Sequence, residues 1–499
     1  MSRESPEPAA ERYVETRLTH SGAVIMVGEH AYKLKRPLRL GFLDFTDVAR
    51  RRDICLKELS LNRRLAPDVY LGLGGIDDPV WGNEPVVVMR RLPAARRLAS
   101  LVQRGVGVDE DLRRLARQLA VFHTHALRCP EIDAEGTRDA IRQRWTDSFD
   151  QLRDYISTLD PAVTREIERL VLRFLDGRAD LFAARVAGSR VVDGHGDLLA
   201  EDIYCLDDGP RVLDCLEFDD RLRYLDQLDD VCCLAMDLER LGAPGAAAMF
   251  LDHYVELTGD PAPPALVHHF VAYRAFVRAK VGCLPGAAGA RSDAALHARL
   301  CLDHLRWGAV RLVVVGGAPG TGKTTLAGGV ADRLGFVTIS SDRVRKELAG
   351  LDPEASAASA FGAGIYTPEW SRRTYGELLR RARLLLSMGE SVVLDATWGH
   401  REERRLAEEL ADEASAELTV FECQLAPAQV ARRISGRVGI SDADEEVARR
   451  LRAEMVPWAG SHHVDTSGTP ARSVEHVCEV LGHEGRPAVS RPRPRMAPD

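Results

Sequence analysis

The sequence lacks the features that would place it in a membrane or in an oxidising compartment. No apolar run in the 499 residues reaches the roughly 18 residues of a membrane-spanning helix. Residues 1–11 are polar and contain two prolines, so they form no secretory signal core. The 10 cysteines show no C-x-x-C spacing, and Cys232 and Cys233 lie in an apolar helical stretch, which favours buried, reduced thiols. We therefore expect a cytoplasmic protein with no membrane partner.

Lysine is also scarce, and the charge balance is acidic. The chain has 6 lysines against 61 arginines, so each lysine is a candidate for a specific role. The formal net charge of -8 disfavours a general electrostatic grip on nucleic acid, although a local basic groove stays compatible with it. With 45% hydrophobic and 28% charged residues, the chain has the composition of an ordinary globular protein.

The pattern of apolar residues changes along the chain and predicts two halves. Short strands and one helix over residues 13–95 predict a small α+β lobe, and residues 96–306 predict a mainly helical lobe. From residue 307 to 485, strands alternate with helices, which indicates a parallel sheet covered by helices. Residues 486–499 are rich in proline and arginine and predict a disordered tail.

A glycine-rich run after the apolar residues 312–315 is the strongest single motif. Such a turn points backbone N–H groups at phosphate oxygens, and the helix that follows adds its positive end. Lys323 would neutralise β- and γ-phosphate charge, and the Thr324 hydroxyl would ligate Mg²⁺. The residues predicted to bind the nucleotide here are Gly317, Ala318, Pro319, Gly320, Thr321, Gly322, Lys323, Thr324 and Thr325.

Three further features of the second half suggest phosphoryl transfer to an acceptor. Asp342 and Arg345 lie three apart on one helix face, where a carboxylate can accept the proton of an acceptor hydroxyl. Asp395 ends a buried strand, where a P-loop protein places a carboxylate for Mg²⁺. Arg433 and Arg437 lie four apart and would close over the triphosphate. Taken singly, Asp342 also fits a helix-start residue, and the two arginines also fit a solvated helix end.

Together, these motifs resemble the small P-loop kinases of the polynucleotide kinase, gluconate kinase and zeta-toxin type, over residues 311 to about 470. The resemblance rests on the P-loop, on Asp342 and Arg345, on the strand ending at Asp395, and on the lid arginines. In such families the aspartate activates the acceptor hydroxyl. The acceptor differs among them, so the resemblance does not identify the substrate.

The first half carries a second set of acidic and basic residues. Asp197 follows a short strand in the run H-G-D, and Asp214 ends the next strand, a pair that suits a catalytic base and a Mg²⁺ ligand. Upstream, Lys33 and Lys35 share one face of a strand, so periodicity does not distinguish them as the phosphate-binding lysine. We choose Lys33, because an apolar pair precedes it, with Glu58 on the following helix as its ion-pair partner.

The order of these residues resembles the aminoglycoside phosphotransferase and choline kinase family, a branch of the protein-kinase-like fold, over residues 13 to about 305. The family pattern H-G-D-x-x-x-x-N would place a metal-binding asparagine at Asp202. We expect aspartate to ligate Mg²⁺ as well, while adding negative charge beside Asp214 and the phosphates. His195 is expected to be a structural hydrogen-bonding residue, since Asp197 occupies the catalytic position.

The whole arrangement resembles bacterial bifunctional proteins in which an aminoglycoside phosphotransferase-like domain precedes a P-loop kinase domain. It implies an α+β protein-kinase-like domain followed by an α/β P-loop domain with a parallel sheet. We expect an enzyme that uses ATP and Mg²⁺ to phosphorylate a small hydroxyl-bearing molecule. Two alternatives stay open: a nucleotide-gated, ligand-sensing protein with a degenerate first half, and a polynucleotide 5′-hydroxyl kinase. The sequence gives no indication of an oligomeric state.

Overall fold

The computed structural model describes most of the chain. The described residues are 13–18, 22–40, 43–78, 82–153, 159–283, 290–352, 364–435, 449–450, 452–453 and 455–482. Arg437 and the predicted tail at 486–499 lie outside them. None of the described helices has the length and apolar character that crossing a lipid bilayer requires.

The chain begins with an antiparallel five-stranded sheet backed by one helix, in the strand order β1-β2-β3-β7-β6. Apolar residues of the helix pack on the sheet around Val87 and Tyr70. Sequence reasoning predicted β2, β3, β7 and the helix but missed the strands β1 and β6. The elements are β1 Val14–Leu18, β2 Gly22–Val27, β3 His30–Lys35, the short pair β4 Arg39–Leu40 and β5 Leu43–Asp44, α1 Val48–Asn62, β6 Tyr70–Asp78 and β7 Gly82–Arg90.

A mainly helical region follows, interrupted by two short antiparallel strand pairs, β8 with β11 and β9 with β10. The sequence pattern over residues 139–159 predicts one helix; α5 covers residues 139–153 of it, and residues 154–158 lie outside the described part of the chain. The elements are α2 Leu98–Gln103, α3 Asp109–His125, α4 Pro130–Glu135, α5 Arg138–Arg153, α6 Pro161–Asp176, α7 Ala179–Ala187, β8 Val191–Asp193, β9 Ile203–Leu206, β10 Gly209–Val212, β11 Tyr224–Asp226, α8 Gln227–Arg240, α9 Pro244–Thr258, α10 Pro264–Cys283 and α11 Ala290–Trp307.

The last part of the chain is an α/β unit with a parallel sheet, as predicted; the sheet has five strands in the order β13-β14-β12-β15-β16. Strand β16 was not predicted. The elements are β12 Arg311–Gly316, α12 Lys323–Leu334, β13 Val337–Ser340, α13 Ser341–Leu348, α14 Pro368–Ser387, β14 Val392–Asp395, α15 Arg401–Glu413, β15 Glu417–Gln424, α16 Pro427–Ser435, β16 His462–Asp465 and α17 Pro470–Val480.

The helical region and the α/β unit share one apolar core. A single cluster of buried side chains runs from helices such as α8 and α10 to Leu312 and Leu394 in the parallel sheet. Two arginines, one in α6 and one between α6 and α7, bind backbone carbonyls between α15 and β15. Arg173 Nη2 donates to Ala416 O at 2.7 Å, and the fully buried Arg178 donates to Ala414 O at 2.8 Å. These contacts lie at the start of β15, away from the carboxyl edge of the sheet.

Candidate functional site

The glycine-rich loop lies between β12 and α12, at the carboxyl edge of the parallel sheet. At Gly317 the backbone φ is 134°, and a Cβ there would come within 2.8 Å of the Cys423 carbonyl oxygen, so the position requires glycine. Helix α12 begins at Lys323 with no side chain capping its first turn. The N–H groups of its first turn and its dipole therefore favour an anion at this end.

Hydrogen bonds within and behind the loop fix its shape. The Thr321 hydroxyl donates to Ala318 O at 2.7 Å, and Lys323 Nζ donates to the same carbonyl at 3.1 Å. Thr466, after β16, donates from Oγ1 to Thr321 O at 2.6 Å. Thr466 was not predicted to contact the loop, because the strand before it, β16, was not predicted. The loop is thus held by its own hydrogen bonds and by one from the residue that follows β16.

Thr324 and Asp395 meet at this edge of the sheet. Strands β12 and β14 are parallel neighbours, with Val315 opposite Asp395. The Thr324 hydroxyl donates to Asp395 Oδ2 at 2.8 Å, and Asp395 is 3% exposed. A hydroxyl and a carboxylate oxygen this close form a donor set that suits Mg²⁺, which binds one or two such protein ligands together with substrate phosphates.

Asp342 lies in the first turn of α13, directly after β13, which is the next strand beyond β14. The Tyr366 hydroxyl donates to Asp342 Oδ1 at 3.4 Å. Arg345 is 9% exposed, donates to Ile365 O at 3.0 Å, and its guanidinium carbon lies 4.8 Å from the centre of the Tyr366 ring. Asp342 and Arg345 are therefore brought together with Tyr366, whose contact with the carboxylate the sequence did not predict.

Arg433 lies against the P-loop. Its Nη2 donates to Thr466 O at 2.6 Å, and its Nη1 lies 3.2 Å from where a Cβ on Gly322 would be. An arginine held there can reach phosphate oxygens in the loop. A cavity of about 680 Å³ borders the loop, lined by Gly317, Ala318, the end of β15 and Arg452. It is large enough for a small molecule.

Trp398, three residues beyond Asp395, is the main feature of this edge that sequence reasoning missed. Its backbone φ is 56°, and its ring packs edge-on against Tyr375 at 5.1 Å. The indole Nε1 is buried and has no hydrogen-bond partner among the described residues. A left-handed backbone at a bulky residue is strained, and such strain concentrates at functional sites.

In the first half, Lys33 and Lys35 both bind Glu58. Lys33 Nζ lies 2.8 Å from Glu58 Oε1 and also pairs with Asp214, while Lys35 Nζ lies 2.7 Å from Glu58 Oε2 and 2.5 Å from Glu217 Oε1. Burial lowers the pKa of Lys33, but Asp214 and Glu58 outweigh it and hold that pKa well above its usual range. Glu217 was missed, because the segment after Asp214 is acid-rich throughout.

Asp197 follows β8 in the H-G-D run and pairs with Arg278 of α10, a residue that sequence reasoning did not single out. The backbone N–H of Asp197 donates to His195 Nδ1 at 3.3 Å, and His195 Nε2 lies 3.1 Å from Leu213 O. His195 is thus bound on both ring nitrogens and links this loop to the strand leading to Asp214, which is the structural role predicted for it.

Asp202 was expected to ligate Mg²⁺ and to add negative charge beside Asp214. Burial, and then the charges of Asp214 and Asp197, raise the pKa of Asp202 well above its usual range. Ionisation of Asp202 is opposed there, because it would bring a third carboxylate beside those of Asp214 and Asp197.

No group of three or more His, Cys, Asp or Glu side chains in the described part of the chain forms a ready-made metal site. Oxygen groups instead come as a pair at the Thr324 hydroxyl and the Asp395 carboxylate, and Asp202 lies near enough to Asp214 to feel its charge. Pairs are what a Mg²⁺ ion carried in by a nucleotide requires, since phosphates and water supply its other ligands.

The chain is similar to several known proteins. The AAA domain family matches residues 312–458. The uncharacterized protein Rv2004c of Mycobacterium tuberculosis is 42% identical over 476 residues, which cover 94% of this chain and 96% of that protein. A sugar kinase of Janibacter sp. HTCC2649 has 20% identity and a TM-score of 0.28, covering 35% of this chain and 95% of its own. A gluconokinase of Sinorhizobium meliloti has 17% identity and a TM-score of 0.26, and the match covers 36% of this chain and 99% of the gluconokinase.

Proposed function

We propose that this chain, which belongs to the family of the uncharacterized mycobacterial protein Rv2004c, is an ATP- and Mg²⁺-dependent phosphotransferase for a hydroxyl group of a small molecule. The observation that carries the proposal is the arrangement at one edge of the parallel sheet. There, the P-loop, the Thr324 and Asp395 pair and the Asp342 carboxylate follow three adjacent strands. We treat residues 307–485 as the principal catalytic unit and residues 1–306 as a second one.

Each residue at the edge has a role in transfer. Lys323, Arg433 and the loop amides bind the phosphates and offset charge that develops as the bond between the γ-phosphorus and the bridging oxygen breaks. Asp342 accepts the proton of the acceptor hydroxyl while that oxygen forms its bond to the γ-phosphorus, and ADP leaves. Arg345, fixed by Ile365 O and Tyr366, orients the acceptor beside Asp342.

Mg²⁺, held through Thr324 and Asp395, would neutralise phosphate charge. The donor set fits this ion, because both groups present oxygen and Asp395 is nearly buried at the strand end. In the first half, Asp202 and Asp214 would supply the corresponding oxygens, Lys33 would bind phosphate, and Asp197 would accept the acceptor proton. These roles give the first half a protein-kinase-like site.

The test is phosphoryl transfer by purified variants. We expect Lys323→Ala to lower transfer by at least about 100-fold, because it removes a cation that binds the transferred group. Asp342→Asn should lower transfer by a similar factor, about 100-fold or more, while ATP affinity stays within about 3-fold. Asp332→Asn is the matched control, because Asp332 is an exposed carboxylate on α12. It should change neither the rate of transfer nor the ATP affinity.

Labelled ATP, Mg²⁺ and a metabolite extract provide the assay. A new labelled small molecule supports transfer, whereas label appearing only as inorganic phosphate would support the nucleotide-gated alternative. A 5′-hydroxyl oligonucleotide in the same assay tests the polynucleotide alternative. Wild-type turnover by Asp342→Asn would refute its assignment as the base.

A further inference from the structure

The first half contains a second buried lysine that a single phosphate-binding role does not explain. Lys33 and Lys35 point to the same side of β3, and each binds a different oxygen of Glu58. Each also reaches a second carboxylate across the cleft: Lys33 pairs with Asp214, and Lys35 pairs with Glu217. Two parallel ion-pair connections therefore join α1 to the segment that follows β10.

The two connections differ in their access to a ligand. Lys33 has a side chain 12% exposed, and its partner Asp214 is 46% exposed. Lys35 is 1% exposed at its side chain, and its partner Glu217 is 9% exposed. A nucleotide and its cation can therefore approach Lys33 and Asp214, whereas Lys35 is enclosed between two carboxylates.

Nucleotide binding would act on the two connections differently. Lys33 would leave Asp214 for a phosphate oxygen, and Asp214 would turn to the cation. Glu58 would then lose part of the network of ion pairs that orients it. Because Glu58 orients Lys33, Lys33 would lose its alignment as well. The contact between Lys35 and Glu217 takes no part in that exchange, so it can hold Glu58 and the Asp214 segment together in both states.

We propose that Lys35 is a positioning residue, which with Glu217 keeps Glu58, and through it Lys33, aligned for the phosphates of a nucleoside triphosphate. The inference rests on the proposed nucleotide site of the first half. It separates Lys33, which would touch the ligand, from Lys35, which would act through Glu58.

The test is MgATP binding by full-length protein, measured by calorimetry, in a Lys323→Ala/Thr324→Ala background that disables the P-loop. In that background we expect Lys33→Met to abolish measurable binding. Lys35→Met should weaken binding about 10-fold, a coupling typical of residues that share one network. Lys57→Met is the control: Lys57 lies beside Glu58 on α1, pairs with Asp220 at 2.8 Å and is 34% exposed at its side chain.

A double variant separates positioning from simple charge balance. Lys35→Met/Glu217→Gln leaves no unpaired carboxylate at Glu217, so its thermal midpoint should return towards that of the background protein. Its MgATP affinity should stay about 10-fold weaker, because Glu58 still lacks its second cation.

Three results would overturn the inference. Parental affinity in the double variant would mean that Lys35 only balances Glu217. Retained binding in Lys33→Met together with lost binding in Lys35→Met would make Lys35 the phosphate ligand. No MgATP binding in the background protein itself would refute the nucleotide site of the first half, and the inference with it.

Discussion

Replacing Asp230 with asparagine should unfold the loop that carries Asp197 before it affects other parts of the chain. Asp230 lies in α8 and is fully buried. Its carboxylate accepts the backbone N–H groups of His195 at 2.7 Å and of Gly196 at 2.9 Å, and lies 3.1 Å from His123 Nε2. A Cβ on Gly194 would come within 2.5 Å of Asp230 Oδ2, so the loop is packed directly on this carboxylate.

The size of the expected stability loss follows from these contacts. Both carboxylate oxygens accept a backbone N–H, but asparagine offers one oxygen and turns an NH₂ group towards the second donor. One charge-assisted hydrogen bond is lost, because two N–H donors then face each other. A charge-assisted hydrogen bond contributes about 1.5–3 kcal/mol. Leaving a donor buried and unpaired costs about 1–3 kcal/mol more. We therefore expect Asp230→Asn to lower the free energy of unfolding by about 3–5 kcal/mol.

Lowering the pH should also lower the free energy of unfolding of the wild-type protein. Burial opposes ionisation of Asp230, but the hydrogen bond from His123 and the nearby positive charges outweigh it and hold the pKa below its usual range. A lowered pKa in the folded state contributes stability above about pH 4, which is lost as pH falls further. Asp230→Asn removes that contribution, so its stability should depend less on pH in the acid range.

Urea unfolding followed by circular dichroism measures the free energy of unfolding. Nucleotide binding by the first half reports whether the loop that carries Asp197 is folded. The control is Asp207→Asn, the same substitution at a side chain that is 97% exposed, where we expect a change below about 0.5 kcal/mol. A stability loss in Asp230→Asn no larger than that of the control would refute the assignment of Asp230 as the anchor of the loop.

Two further predictions concern other buried groups. Thr466→Val removes the hydrogen bond to Thr321 O, and we expect it to cost about 1–2 kcal/mol and to weaken ATP binding at the P-loop several-fold; unchanged binding in a calorimetric titration would contradict that role. Burial lowers the pKa of His269 to about 3, so the unfolded chain binds one more proton between about pH 6.5 and 3, and stability should fall by up to about 1.4 kcal/mol per pH unit as acid is added. Urea midpoints across this range should show a shallower pH dependence in His269→Phe, and an unchanged slope would contradict the neutral, buried state.

Much of the fold of the second half could be predicted from local patterns. Strands of a parallel sheet are apolar runs, and β12 and β14 are continuous runs of buried residues in the structure. The P-loop is contiguous, so its glycine spacing was visible directly. Strand β16 was missed because three of its four residues, including His462 and His463, are exposed and polar or charged. The hydrogen bond to the loop from Thr466, the residue after β16, was therefore not predicted either.

The first half was harder to predict because its contacts join residues far apart in sequence. The pair formed by Lys35 and Glu217 spans 182 positions, and no periodicity within β3 or in the segment after Asp214 links them. The same holds for Arg278, which reaches Asp197 from a helix 81 residues away. Asp202 was identified from a motif, but its protonation depends on burial and on neighbouring carboxylates.

By itself, the sequence determined which residue types could do chemistry and where each lies along the chain: the P-loop lysine, the carboxylates at strand ends, and two lysines on one strand face. Those properties are local, since they depend on spacing and on the geometry of one strand or one helix. Only the tertiary structure decided which carboxylate each lysine meets, which groups are buried and which are open to a ligand. Distance and desolvation set the strength and the ionisation of such pairs, and both arise when distant segments pack together.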